Sequence, residues 1–399
     1  YRQQFADLSE KMGFELEWEP SPIGRTEQFQ QLANRIETTK PDGVLLAAFK
    51  KTVWQSHGKD LLEAISPPCV VLAPLGVLLI PSVVELEEEP GACMISSSNP
   101  LQDVEMPLRM LGANVLMAES VILNLQGDNR EEEIRVPGLN TRVRTVPRQT
   151  YIDVYQAMRD TDEVRDLARD YLGRAVEVVE PNEADVLDAA KSYFALKKVL
   201  ESENADALMM DCLPGLKFPH QHVPPCMGFM SLRDEGIVAG CESDLDATLT
   251  LMLLQNLFGT PGFQHNPAVD TEKNHYFCAH CTSASRMRGL DQSPEPIALR
   301  SHAEAGWGCV PRVLFSENQD VTISKYLHGD SAQLLLYSGT VLRCPPIPPA
   351  GGCRTNAEIK LNELENVADL KGHHLCMVYG NHTRDLRRFC QLNAIEVVV

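Results

Sequence analysis

A chain of 399 residues with 36 Lys and Arg against 55 Asp and Glu carries a formal charge of −19. That balance argues against nucleic acid, whose binding draws on cations that neutralise phosphates, and favours a small neutral or cationic ligand. The length fits two or three domains of roughly 100 to 200 residues each. The 44% hydrophobic and 23% charged composition is that of a soluble globular protein, and no run of about 18 apolar residues is present to span a bilayer. Twelve cysteines suit a reducing compartment or an exported protein with a few disulfides. Cytoplasmic localisation is expected, with export as the alternative.

The chain opens at Tyr1 with an amphipathic helical pattern over residues 1–12, followed by the strand-like Phe14-Glu15-Leu16-Glu17-Trp18. An opening strand is therefore expected upstream, with a signal peptide in the exported case. Helical patterns at 25–39 and 59–65 alternate with short apolar strands at 43–48 and 69–72, and the apolar stretch 69–84 reads as buried strand. Continuous apolar strands separated by amphipathic helices predict a parallel sheet covered on both faces. A second α/β block has a strand at 119–125, a turn at Gly127-Asp128-Asn129, helices around 150–172 and 183–203, and a buried strand at 205–212. From Pro261 onward, dense Pro and Gly punctuate strand-like pieces at 321–324 and 333–337, the pattern of a β-rich or barrel-like domain. A helix at 385–392 leads to a strand at 395–399. The expected fold is α/β: two doubly wound parallel-sheet domains, residues 1–110 and 111–258, then a β-rich, barrel-like domain, residues 259–399.

The stretch 236–280 carries most of the chemistry. Cys241-Glu242-Ser243-Asp244 opens a helix whose apolar residues run from Leu245 to Leu257, and Ser243 and its acidic neighbours favour a helix start. Gly259-Thr260-Pro261 follows, then Gln264-His265-Asn266-Pro267, Asp270 to Asn274, and Ala279-His280-Cys281. Near the end of the chain stands Gly372-His373-His374-Leu375-Cys376. Carboxylates together with imidazoles suit a divalent metal of the manganese type, which can hold adjacent sugar oxygens and polarise a carbonyl.

These motifs resemble the L-fucose and L-arabinose isomerase superfamily, in which Cys-Glu-Gly-Asp is followed by a helix, Gly-x-Pro, a carboxylate and His-Cys, with a closing histidine segment. The resemblance implies two α/β domains and one β-rich domain, a Mn²⁺-type ion between the second and third, a small-molecule sugar substrate, and a homo-oligomer, trimer or hexamer. It implies a metal-dependent aldose–ketose isomerase acting through an enediol. A metal-dependent epimerase or lyase on a sugar, or a non-catalytic sugar-binding relative, are the alternatives.

Glu242 matches the family's first carboxylate and is expected as ligand and acid/base. The second carboxylate departs from the pattern. Its position falls near His265 or Asn266, with His265 a candidate metal ligand there, and Asp270 in the same loop is the candidate to replace the carboxylate as ligand and base. His280 matches a ligating or near-site histidine. In the His373-His374 pair, strand alternation would send the rings to opposite faces, so His374 is expected as ligand and His373 as a substrate contact. Arg300 and His302, in a Gly-rich stretch, are candidates for binding sugar hydroxyls. Cys278-x-x-Cys281 lacks a second pair at zinc spacing. Cys344 and Cys353 flank the 345–352 Pro/Gly loop and could bridge in an exported protein, free thiols being the cytosolic expectation.

Overall fold

The computed structural model describes residues 2–87, 89–329, 331–345 and 352–399. Among these, no helix is long and apolar enough to cross a membrane. The chain forms two compact units, residues 1–116 with 384–396, and residues 117–383 with 397–399.

The smaller unit is built on three parallel strands, β1 (Val44–Ala47), β2 (Cys69–Pro74) and β3 (Ala92–Ser97), in that spatial order. The first five residues of β2 are all buried, as a central strand covered on both faces requires. Val71 and Ala73 pack with Val44, Met94, Ile36 and Leu62 in one core. The apolar run from Cys69 is not one strand. It leaves the sheet after Pro74 and turns helical over Ile80–Glu87, because Pro81 is tolerated in a first helical turn but would break a sheet ladder. Residues 14–18 form neither helix nor strand, so the strand expected there is absent.

The larger unit begins with β4 (Val121–Leu125), β5 (Ile134–Arg135), β6 (Arg142–Val146), β7 (Ala175–Val178), β8 (Ala207–Met210) and β9 (Ala239–Cys241). Five of these form a sheet ordered β5-β6-β4-β8-β9, parallel from β6 to β9. The helix read over 150–172 is two helices, Gln149–Ala157 and Asp162–Arg174. The break is explained by Thr161, which caps the second helix by accepting from the Val164 amide.

The C-terminal part adds β10 (Phe263–Asp270), β11 (His275–His280), β12 (Ile297–Arg300), β13 (Val310–Val313), β14 (Asp320–Leu327), β15 (Gln333–Arg343), β16 (Thr355–Leu361) and β17 (Leu375–Tyr379). Six antiparallel strands, β14-β17-β10-β11-β16-β15, close into a barrel through the β14–β15 pairing. Closure leaves these six strands without an open edge. β7 crosses from the α/β part to pair with β12, next to β13. One apolar core runs through both parts, joining Tyr171 and Met230 to barrel residues Phe263, Tyr276, Ile323 and Met377. Packing within this unit is thus continuous across residue 258.

The helix Leu245–Phe258 is apolar almost all round, and it packs against β9 on one side and β14 and β17 on the other. An apolar circumference is what such a fully enclosed helix requires. A Cβ at Gly240 would overlap the Thr248 hydroxyl, so glycine is needed for the close approach of β9 to this helix.

Candidate metal centre

β9 ends at Cys241, and the chain turns through Glu242 and Ser243 before the helix begins. This is the carboxyl end of a parallel strand, where open α/β sheets place their ligand-binding residues. Both turn residues have positive φ, 57° and 52°. Such backbone is costly for non-glycine residues and persists where the surroundings impose it. The surroundings here are specific. The buried Gln264 amide accepts from the Cys241 N–H at 2.9 Å and donates to the Cys241 carbonyl at 3.1 Å. The buried Arg233 donates from Nε to the Ala239 carbonyl at 2.8 Å. The helix N-cap is Asp244, which accepts from the Ala247 amide at 2.8 Å, so Glu242 and Ser243 precede the helix.

Two histidines meet Glu242. His280 ends β11, and His374 immediately precedes β17 with φ 52°. His280 Nε2 lies 3.5 Å from Glu242 Oε1, and His374 Nε2 lies 3.5 Å from Oε2. One ligand atom from each of the three residues falls within 4.8 Å of the others. Ligand atoms about 2.1 Å from a shared ion stand about 3.0 Å apart at right angles and about 3.4 Å apart at tetrahedral angles. The two 3.5 Å separations are close to the tetrahedral value, and the three atoms lie within 4.8 Å of one another. Both histidines are at most 5% exposed. Both ring nitrogens of His280, and Nε2 of His374, are buried without a hydrogen-bond partner. Buried polar atoms left unpaired are costly, and an ion is a recognised reason for them.

The remaining nitrogen of His374 is accounted for. Nδ1 pairs with Asp244 Oδ2 at 2.9 Å, and Lys325 Nζ reaches the same oxygen at 2.9 Å and the His373 carbonyl at 2.6 Å. A carboxylate behind a histidine fixes its tautomer and aims Nε2 at the metal position. Burial would raise the Asp244 pKa, but His374, the Ala247 amide and Lys325 outweigh it and bring it to about 2. The His280 contact holds Glu242 below the usual carboxylate range. Burial opposes charge on His280, while Cys241 and Glu242 beside it favour it. The ionised carboxylates Glu242 and Asp244 favour positive charge next to them.

The other residues singled out in the sequence fall in different places. His265 is wholly buried, with Nδ1 2.9 Å from the Phe263 carbonyl and Nε2 2.6 Å from the Tyr276 hydroxyl. Burial lowers its pKa to about 3. Asn266 has a buried side-chain oxygen without a partner. Asp270 stands opposite His275 at the turn of the β10–β11 hairpin, paired with Lys273 at 2.9 Å. His280 is five residues along β11 from that end, about 17 Å at strand rise. His373 stacks on His374, with ring centroids 4.2 Å apart. The pair lies ahead of β17 rather than in it, so strand alternation does not apply to it. Arg300 forms two hydrogen bonds to Glu180, at 2.8 and 2.7 Å, whereas His302 lines the same cavity as Glu242 and His280.

All cysteines are free. Cys278 Sγ contacts the Ala357 carbonyl at 3.5 Å while Cys281 faces the cavity, so the two do not converge. Cys344 contacts the Phe315 carbonyl at 3.4 Å. Most of the loop between Cys344 and Cys353, residues 346–351, lies outside the described residues. Sequence reasoning missed Asp244 and Lys325. Asp244 stands two residues after Glu242 in the quoted motif and could have been found as its companion, whereas Lys325 sits on a barrel strand with no local signal.

No family model matches the chain. It is similar to a sulfoquinovose isomerase of Priestia aryabhattai, 25% identical over 225 residues that cover 55% of this chain and 49% of the relative. The protein of that name from Priestia megaterium gives the same figures. That from Alkalicoccus urumqiensis is 23% identical over 262 residues, 62% of this chain and 57% of the relative. The chain spans about half the length of the curated relatives it matches. Its likeness is to sugar isomerases, and its Glu242, His280 and His374 form a group able to hold a divalent ion.

Proposed function

We propose that the chain is the core of a metal-dependent aldose–ketose isomerase that acts on an open-chain sugar through an enediol. The observation that carries this reading is the convergence of Glu242, His280 and His374 with three buried ring nitrogens unpaired. The sulfoquinovose isomerase names of its relatives support the sugar class. Glu242, His280 and His374 would hold the ion, with Asp244 and Lys325 behind His374. A mixed imidazole and carboxylate set suits Mn²⁺ and its neighbours in the first transition row. The bound ion would supply Lewis-acid polarisation of the sugar carbonyl and hold its adjacent oxygen in plane.

Glu242 is ionised at neutral pH and has a carboxylate oxygen on each side of the centre. It takes the proton from C2 of the aldose, and the carbonyl oxygen at C1 gains a proton to give the enediol. Return of a proton to C1, with loss of the proton from the C2 hydroxyl, yields the ketose. His302 and His373, on the cavity wall and beside His374, are placed to orient sugar hydroxyls. His265 and Asp270 lie outside this ligand set. A homo-oligomer, trimer or hexamer, belongs to the same proposal and is checked by light scattering.

The test is exchange of the C2 hydrogen in deuterated water, followed over a panel of pentoses, hexoses, 6-deoxyhexoses and sulfoquinovose with Mn²⁺, Co²⁺ or no metal. Metal-dependent exchange into at least one sugar, abolished in Glu242→Gln, is expected. Metal binding without exchange into any sugar overturns the isomerase reading.

A further inference from the structure

The cavity that Glu242 and His280 line is rich in thiols. Cys212, Cys226, Cys241, Cys281 and Cys353 all line it, together with His302. Isomerisation as described uses none of them. Two are in direct side-chain contact, Cys281 with Cys353, and Cys281 also contacts His302.

The fold brings this pair together just past a strand end. His280 pairs with Thr355 as the last rung between β11 and β16, and beyond that rung Cys281 and Cys353 pack in one small cluster with Cys226 and Val310. Arg354 then clamps the neighbouring loop, donating from Nε to the Ser301 carbonyl at 2.8 Å and from Nη2 to the Ser301 hydroxyl at 3.2 Å. That fixes His302 beside the thiols. The Ala305 amide donates to His302 Nδ1 at 3.2 Å, which leaves Nε2 as the protonated nitrogen and a donor. Cys281 is buried against Cys226 and Val310, while Cys353 is only partly buried. Cys353 is thus the more exposed of the two and Cys281 the more buried, as for an attacking and a resolving cysteine.

We propose that Cys353 and Cys281 form a peroxide-reactive thiol pair that closes to a disulfide on the wall of the metal cavity. The Cys353 thiolate attacks one oxygen of hydrogen peroxide, forming an S–O bond, breaking the O–O bond and releasing hydroxide, which takes the Cys281 proton as water. The Cys281 thiolate attacks the Cys353 sulfenic sulfur, the S–S bond forms, and the departing hydroxide takes back the proton that Cys353 released to solvent on forming its thiolate, giving the second water. In sum, two thiols and one peroxide give one disulfide and two waters. Because Cys281 follows His280 directly, the bridge ties a ligand-bearing strand end to the start of β16. Oxidation would thereby control the cavity.

The test treats the whole protein with hydrogen peroxide, digests it without reduction, and maps cross-linked peptides by mass. A Cys281–Cys353 cross-link with loss of two titratable thiols, reversed by dithiothreitol and absent from Cys353→Ser, is the expected result. Over-oxidation of Cys353 to sulfinic acid without a cross-link overturns the proposal, as does a cross-link joining a different pair. Mapping on the unmodified chain decides this even if a variant fails to fold. In a second arm, the Mn²⁺-induced rise in Tm is compared before and after oxidation. A smaller rise supports control of the cavity, and an unchanged rise in fully cross-linked protein overturns it. The cross-link itself is read without any metal, so its failure is distinct from failure of the isomerase reading.

Discussion

The two ends of the β10–β11 hairpin offer the same residue types in opposite circumstances. At the turn, Asp270 is ionic, more than a third exposed, and already paired with Lys273. At the open end, His280 is buried, unpaired, and faces a carboxylate at 3.5 Å. At the same open end, on the opposite strand, His265 is buried yet satisfied, with both ring nitrogens bonded. The lesson is that a ligand is marked by what its polar atoms lack. A paired surface carboxylate has little to gain from an ion, and a saturated histidine has no lone pair to give, whereas a buried unpaired nitrogen is stabilised by one.

The sharpest way to break this comparison is at His280. His280→Ala should abolish metal-dependent stabilisation and lower C2 exchange by at least about 100-fold, as loss of a ligand does. Calorimetry with and without Mn²⁺, together with exchange rates, checks it. If His280→Ala binds metal as well as the parent chain, the unpaired-nitrogen argument fails.

A smaller effect is expected at Asp244. Asp244→Asn leaves the three ligands in place but loosens the tautomer and aim of His374, so metal affinity should fall about 10- to 100-fold. Metal titration of the variant measures this. An unchanged affinity would reduce Asp244 to a helix cap.

Two buried histidines outside the centre, His265 and His222, give a pH prediction. Burial depresses His265 to about 3 and His222 to about 4, from an ordinary 6.5. Both stay neutral in the fold, while the unfolded chain takes up protons below about 6.5, so the unfolded state binds more protons and stability rises with pH in that window. Stability should therefore be full above about 6.5 and fall as pH drops toward 4 and then 3, by up to about 1.4 kcal/mol per pH unit for each histidine. Urea midpoints across that range, compared between the parent chain and His265→Asn, should show a flatter slope in the variant.

The smallest effect is predicted at the turn. Asp270→Asn removes only an exposed pair, so stability should change by less than about 0.5 kcal/mol and exchange should be retained. A large loss of exchange would return Asp270 to the mechanism.

Much of this was legible in the sequence because it rests on local patterns. The apolar runs of β2 and β8 announced parallel strands, and the density of turns after Pro261 announced the barrel. Cys241 to Asp244 announced the start of the helix that follows, and His280 and His374 were named from their motifs. The first apolar run was misread because it carries no period. Nothing between Pro74 and Val84 distinguishes strand from helix except the prolines.

What only the tertiary structure decided is which polar atoms are spent. The resemblance left His265, Asn266 and Asp270 as alternatives for one position and named His280 for another, all within one hairpin. Closure of the barrel buried His265 against Tyr276, left Asp270 at an exposed turn and brought His280 to Glu242. The same closure set Lys325 behind Asp244 and Cys353 beside Cys281, pairs separated by 81 and 72 positions. The sequence by itself determined most of the elements and the candidate ligand types, since periodicity and composition act over a few residues. Convergence depends on strand register and burial across the whole larger unit, which no local stretch encodes.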